Sequence, residues 1–458
     1  MNMFFNIIIF ITIVFSTQLG YSQISSSDPI EVSVGATKNA KIKLLIGIVG
    51  HKNNHLEHIA RRIEQNCIFS GQFDVGHAHV SECKNKKKFE KTLHQFFENG
   101  YSLGLFLSDD TQGSGIVWRI YDIEKKTMAQ GKVYEKRGKN PTGWAHNISD
   151  TVWPLLTGIP GSFSTKIAFC KAVPFGGNSG KKKSHVKKGH MGKHIFIADY
   201  DGSHQEPFVE SGTVNIAPRW TGKSHQPLLY FSEHTDSNVR LIQATMDKKR
   251  RIASSFDGTT MLPSFSHDGS RVVYCASRGS GSTHMYYQTQ NAFRRLTHNN
   301  ANNVSPVFAH NDSKVYFCSD VIEDQPTQVG VPYLYCYDLI THKQEQIVTK
   351  GYCASPSYCQ YTNKLAYVKN VNQISQVFVY DPEKKTEQQI TFDPTRKEEC
   401  SWSPCGSYLL YAVTQGNSSR IAVYNFLTQT QKFITAAHEQ CSYPHWSPVY
   451  DQVPYLSV

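Results

Sequence analysis

Residue types that could do chemistry are plentiful in these 458 residues, among them 20 histidines, 11 cysteines and clustered lysines. His185, His190 and His194 lie beside the run Lys181–Lys188, a spacing suited at most to opportunistic metal capture. Cys353 and Cys359 are six apart with no matching histidine pair, unlike the close pairs of a structural zinc site. There is no Gly-x-Ser-x-Gly nucleophile elbow, no His-Glu-x-x-His and no phosphate-cradling glycine loop. Gly279-Ser280-Gly281 has no strand-to-helix context and reads as a turn. His267 and His310 fall at equivalent turn positions of a repeat, and Asp338 and Asp381 recur at strand ends, so turn geometry accounts for them. The residues predict no catalytic centre, no structural metal and no cofactor.

Charge and targeting signals narrow the setting. Forty-eight basic against 37 acidic residues give a net charge of +11. Lys84–Lys88 and Lys181–Lys188 read as solvated loop faces suited to anionic envelope polymers or lipid headgroups. Residues 1–22 read as a signal peptide: the apolar run Ile7–Phe15 is too short to span a bilayer, and Gly20 and Ser22 suit cleavage before Gln23. The segment before that run lacks Lys and Arg, so an uncleaved anchor is the alternative. No other stretch predicts a membrane crossing, and export excludes nucleic acid as a partner. Export permits disulfides, but their connectivity is not readable from one sequence.

The elements carrying these residues repeat. Pro218-Arg-Trp220, Pro263-Ser-Phe265, Pro306-Val-Phe308, Pro356-Ser-Tyr358, Cys400-Ser-Trp402 and Pro444-His-Trp446 are spaced by 45, 43, 50, 44 and 44 residues. A turn follows each aromatic, as at Asp268-Gly269 or Cys405-Gly406, and further short apolar strands follow the turn. A period of 40–50 residues with about four strands per unit predicts an all-β propeller over residues 166–458. Three strand-like pieces precede Trp220 (Lys166–Phe169, His194–Asp199, Pro207–Glu210), while the last aromatic strand has no complete unit after it. Joining the two ends gives six blades and removes the open edge. The tail 451–458 finds no place in this scheme.

Upstream the pattern alternates. After a polar arm, strands Ile42–Val49, Tyr101–Leu107, Ile116–Asp122 and Met128–Tyr134 interleave with helices His55–Asn66, Phe89–Asn99 and Gly143–Leu156. This predicts an α/β N-terminal domain over residues 23–160, linked to the propeller by Thr157–Gly161.

Several runs carry a resemblance: Ser70-Gly71-Gln-Phe73, Trp118-Arg-Ile-Tyr121-Asp122, Ala145–Gly158 continuing through Gly161-Ser-Phe163 to Phe169, Asp199-Tyr-Asp-Gly202 and the aromatic-Ser-x-Asp-Gly units. In this order they resemble the TolB family, the periplasmic propeller proteins of the Tol–Pal envelope system. The resemblance covers nearly everything after residue 22. The Lys/His-rich segment within 171–193 and the lengthened loop Asp320–Pro332 depart from the family pattern and leave the partner surface open.

The resemblance implies a non-enzymatic periplasmic scaffold that supports outer-membrane integrity and cell division. It implies that a Pal-like peptidoglycan-associated lipoprotein docks on the loops entering the innermost strands, here Asn215, Ile216, Thr260, Met261, Asn303, Val304, Ser355, Glu399 and Tyr443. It also implies that the arm, about Gln23–Val34, contacts a TolA-like inner-membrane protein. Direct binding of peptidoglycan glycan by the propeller is the alternative, and a metal-dependent polysaccharide lyase, known on similar propellers, is the enzymatic one. Deleting residues 23–34 is expected to abolish recovery of the inner-membrane partner in pull-downs; equal recovery contradicts the role assigned to the arm.

Overall fold

The computed structural model describes residues 41–450 apart from 51–52, 82–85, 111–114, 136–139, 175–190, 211–212, 223–226, 280, 323–328 and 349. The signal peptide, the arm, the tail 451–458, Lys84 and the segment holding Lys181–Lys188, His185 and His190 lie outside the described residues. The chain divides into two compact units between Ser164 and Thr165.

The first unit comprises β1 (Ile42–Val49), α1 (Asn54–Ser70), β2 (Phe73–Val80), α2 (Lys86–Glu98), β3 (Leu103–Asp109), β4 (Gly115–Asp122), β5 (Thr127–Glu135) and α3 (Pro141–Thr157). The strands form one sheet in the order β2-β1-β3-β4-β5. Its first three strands are parallel and its last two antiparallel. Residues alternate faces along β1, so Leu45 packs with Phe106, Leu93 and half-buried Phe89 and Phe96 beneath α2. Gly47 and Gly104 leave room for the Phe106 ring: a Cβ on either would lie 2.3 or 2.5 Å from a ring carbon. Helix ends follow the expected chemistry, with Asn53 and Asn140 accepting backbone N–H groups of the first turns and Gly71 and Gly158 in left-handed C-caps.

β2 is the strand that hydrophobic pattern does not announce. Phe-Asp-Val-Gly-His-Ala-His-Val is mostly half-buried or exposed because it forms an edge strand, held by parallel pairing to β1 rather than by two covered faces.

The run Ala145–Phe163 has a physical explanation inside this unit. The half-buried Asp150 on α3 accepts, through its carboxylate, the Phe163 and Ser164 backbone N–H groups at 2.7 and 2.9 Å. Gly161 crosses close enough that a Cβ there would sit 2.5 Å from the Asp150 Cα. Burial raises the Asp150 pKa to about 6 despite those hydrogen bonds.

The second unit is a propeller of six four-stranded antiparallel sheets. Blade 1 is assembled from both ends of the unit: Cys441–Trp446 forms its innermost strand and pairs with Lys166–Pro174, which is followed by Met191–Asp199 and Glu206–Val209. Blades 2 to 6 begin with the innermost strands Val214–Trp220, Thr260–Phe265, Asn303–Ala309, Cys353–Cys359 and Arg396–Trp402. The ladder of the first hairpin of blade 1 runs as far as Pro174 opposite Met191, on either side of the Lys/His-rich segment in the sequence.

Two repeated contacts explain the motif. The hydroxyl residue after the aromatic accepts the N–H that opens the next strand region. Leu228 N–H donates to Thr221, Arg271 to Ser266, Tyr408 to Ser403 and Lys166 to Ser447. The residue before the aromatic binds the neighbouring blade. Phe308 N–H donates to Ser264 Oγ at 3.1 Å, Trp402 N–H to Ser357 Oγ at 3.1 Å, Trp446 N–H to Ser401 Oγ at 2.9 Å and Trp220 N–H to His445 Nδ1 at 3.2 Å. The aromatics close the wedge between blades, as where Trp402 packs with Cys359, Ala366 and Val377 of blade 5.

All ten described cysteines are buried. Burial pushes the Cys67 and Cys275 thiols up to about 12, far from the reactive thiolate. A thiol reagent added to native protein is therefore expected to leave these ten unlabelled and to label all of them in denaturant. Rapid native labelling at any of the ten contradicts the packing described.

Candidate functional site

The six innermost strands line the axis of the ring, and each is interrupted at the same place. The pairing register shifts near the middle of every innermost strand. At each shift one residue takes a left-handed backbone: Ala217, Leu262, Ser305, Ser355, Glu399 and Tyr443, with φ of 54, 53, 55, 51, 62 and 53°. None is glycine, and five precede proline. Left-handed φ costs a non-glycine residue roughly 1–2 kcal/mol, so six repeats mark a conformation imposed by the ring. A bulge bends its strand and re-aims its side chains.

The bulge sorts the neighbouring residues into layers. Two positions before it stand Asn215, Thr260, Asn303, Cys353, Lys397 and Cys441, all fully buried. These are wall residues: Asn303 Nδ2 reaches Asn299 Oδ1 at 2.8 Å and the Ala301 carbonyl at 2.9 Å, while its Oδ1 accepts from Ser319. Lys397 donates to Asp393 Oδ1, the Thr395 carbonyl and Thr395 Oγ1 at 2.7–2.8 Å. One position before the bulge stand Ile216, Met261, Val304, Ala354, Glu398 and Ser442, where all but exposed Glu398 are half-buried. Four consecutive blades thus place an apolar crescent at the entry mouth, where Val304 and Ala354 also pack against the cores between blades, and blade 6 sets a carboxylate at the equivalent position.

The nine residues expected to meet a partner fall into all three layers. Asn215, Thr260 and Asn303 sit in the wall, Ile216, Met261 and Val304 form the crescent, and Ser355, Glu399 and Tyr443 occupy the bulge. The bulge layer and the buried Lys397 were not legible in the sequence. The residue before each proline repeats in conformation but not in type.

The mouth carries charge on the side of blades 6, 1 and 2. Glu399 accepts the Tyr443 backbone N–H. Burial and then the neighbouring Glu398 charge raise Glu399 to about 7, against that hydrogen bond and the attraction of Arg219 and Lys193. Lys193 Nζ lies 5.9 Å from the centre of the Tyr443 ring. His234 is held below its ordinary value by burial and by Lys193.

Behind the bulge a cavity of about 390 Å³ reaches the turns that follow the innermost strands. Of the nine expected residues only Ser355 lines it; Arg219, Ser264, Val307 and His445 contribute further along. No group of three His, Cys, Asp or Glu side chains arranged for a metal ion occurs among the described residues. No helix among them is long and apolar enough to cross a membrane.

This architecture defines a closed six-bladed propeller whose axial mouth and cavity are the surfaces available for binding, preceded by a small α/β unit. Residues 153–450 match the model of the TolB beta propeller domain, and the chain belongs to that family. It is 24% identical over 175 residues to the Tol-Pal system protein TolB of Alcanivorax borkumensis, which covers 38% of this chain and 37% of the relative. It is 25% identical over 182 residues to the Tol-Pal system protein TolB of Helicobacter pylori, covering 39% and 41%. The alignments thus span about two fifths of the length of these curated relatives. The crystal structure of TolB from Acinetobacter baumannii superposes with a TM-score of 0.70 at 19% identity, over 90% of this chain and 97% of that one. That likeness is one of fold.

The Glu399 environment has a consequence for stability. A carboxyl whose folded pKa is raised binds more protons folded than unfolded, so its contribution is present at low pH and lost as pH rises through about 7. The slope for one proton is at most about 1.4 kcal/mol per pH unit. Glu399→Gln keeps an acceptor for Tyr443 N–H and is expected to lessen the fall in melting temperature between pH 5 and pH 8. Identical pH profiles for the two proteins contradict the assignment.

Proposed function

We propose that this chain is a non-enzymatic periplasmic scaffold of a Tol–Pal system, docking a Pal-like lipoprotein over the entry mouth of its propeller. The observation that carries the reading is the half-buried crescent of Ile216, Met261, Val304 and Ala354 beside Glu398 and Glu399. Protein interfaces place apolar anchors at the centre and polar groups at the rim, and the mouth has both. Family membership and the printed names of the relatives support the choice of system. The same reading has the N-terminal arm contact an inner-membrane TolA-like protein, joining the two membranes through one chain and supporting envelope integrity during division. The wall residues Asn215, Thr260 and Asn303 hold the mouth in shape, while the crescent and bulge residues meet the partner.

Isothermal titration with the soluble domain of the Pal-like lipoprotein from the same cell is expected to show saturable binding. Met261→Glu with Val304→Glu sets unpaired carboxylates in the crescent. Central anchors are typically worth about 2 kcal/mol or more each, so affinity is expected to fall by a factor of ten or more, with the circular dichroism spectrum unchanged. Unchanged affinity would reject this face, and no binding to the wild-type protein would reject the partner.

A further inference from the structure

The residue preceding the aromatic has a fixed structural duty in four blades, where Ser264, Ser357, Ser401 or His445 accepts a backbone N–H from the next blade. The two remaining blades carry Val307 and Arg219. Val307 packs into the apolar core shared by blades 4 and 5. Arg219 has no such justification: a guanidinium has five N–H donors and no acceptor, so it cannot make the inter-blade bond at all. At this position the ring gives up a hydrogen bond and sets a cation in the wall of its cavity.

That cation is under-partnered. Among the described residues, Arg219 donates one hydrogen bond, from Nη1 to the Pro218 carbonyl at 2.9 Å. Glu399 attracts it, but among the described residues Arg219 forms no ion pair. Burial works against the guanidinium charge. Of the other cavity-lining residues, Asp312 is paired with Arg271 at 3.2 Å, and His445 is held neutral by burial and by Arg219 itself.

The surroundings are rich in donors. Because His445 Nδ1 accepts the Trp220 N–H, its ring proton sits on Nε2. Ser264, Ser357 and Ser401 spend a lone pair on the next blade and keep their hydroxyl protons. Ser305 and Ser355 add two more hydroxyls at the bulge. A cavity of about 390 Å³ is also large enough for a small organic ligand, since such sites start at about 300 Å³.

We infer that the axial cavity is a binding site for a small oxyanion, a carboxylate or phosphate group borne on a compact body, held by the Arg219 guanidinium and capped by serine hydroxyls. A guanidinium presents parallel N–H groups that match a two-oxygen acceptor. An ion pair removed from water gains from such added hydrogen bonds. The site lies behind the bulge and does not depend on what docks at the mouth.

The test is isothermal titration of the full chain with inorganic phosphate and, separately, with succinate at constant ionic strength. The expected result is saturable binding of at least one probe, and the probe that binds identifies the phosphate or carboxylate source. Arg219→Gln is expected to weaken binding about tenfold or more, the usual scale for losing a charged hydrogen-bond partner; Arg219→Lys is expected to weaken it less. No saturable binding of either probe overturns the site, as does equal affinity in a folded Arg219→Gln protein. If Arg219→Gln fails to fold, Ser305→Ala with Ser355→Ala decides. Neither hydroxyl bonds another side chain or the backbone among the described residues, so a threefold or greater loss supports the site and unchanged affinity overturns it.

Discussion

The propeller depends on one non-local junction, the pairing of Cys441–Trp446 with Lys166–Pro174. Everything radial in the fold is local, with each blade built from consecutive strands, but a ring of local units has two free edges until its ends meet. The latch is well bonded. Trp446 Nε1 donates to Thr165 Oγ1 at 2.7 Å, Lys166 N–H donates to Ser447 Oγ at 2.9 Å, and Trp446 N–H donates to Ser401 of blade 6. Trp220 then reaches back across the seam, its indole N–H donating to the His445 carbonyl. Once closed, six strands face one axis, and the bulges, the mouth and the cavity all follow from that crowding.

The parts legible in the sequence were those in which residue type and geometry are tied. An aromatic at a wedge between blades, a hydroxyl that must accept the next strand's N–H, and a proline after the bulge all recur in type, so blade count, spacing and closure could be read. Helices of the first unit were legible through their apolar period and their caps. β2 escaped because an edge strand with two polar histidines needs no apolar alternation. The wall layer escaped for the opposite reason: Asn215, Thr260, Asn303 and Lys397 are polar residues that sequence reasoning assigns to solvent, yet each is fully buried, with Asn303 and Lys397 held by several hydrogen bonds. The bulge layer was invisible because its repeat is a backbone angle, shared by alanine, leucine, serine, glutamate and tyrosine alike.

This division of labour also frees a few positions. Where the ring fixes a side chain, as with the serines between blades, little can vary. One residue before the bulge no single side-chain type recurs, and the six blades carry isoleucine, methionine, valine, alanine, glutamate and serine, of which Val304 and Ala354 also pack against the blade cores. Variation at a rigidly held position lets one scaffold present a graded surface, apolar over four blades and acidic at the next. Arg219 is the converse case, a fixed position surrendered to a charge.

Whether a partner sits at the mouth of the ring is decided by proximity in the cell. A photo-crosslinking amino acid placed at Met261 or Val304, against a control at Ile340, which is exposed in the turn before the outer strand of blade 4, samples both surfaces without disturbing the wall. Crosslinks are expected from the two mouth positions to a Pal-like lipoprotein, with the control remaining unlinked. Capture from Ile340 with none from the mouth would contradict it.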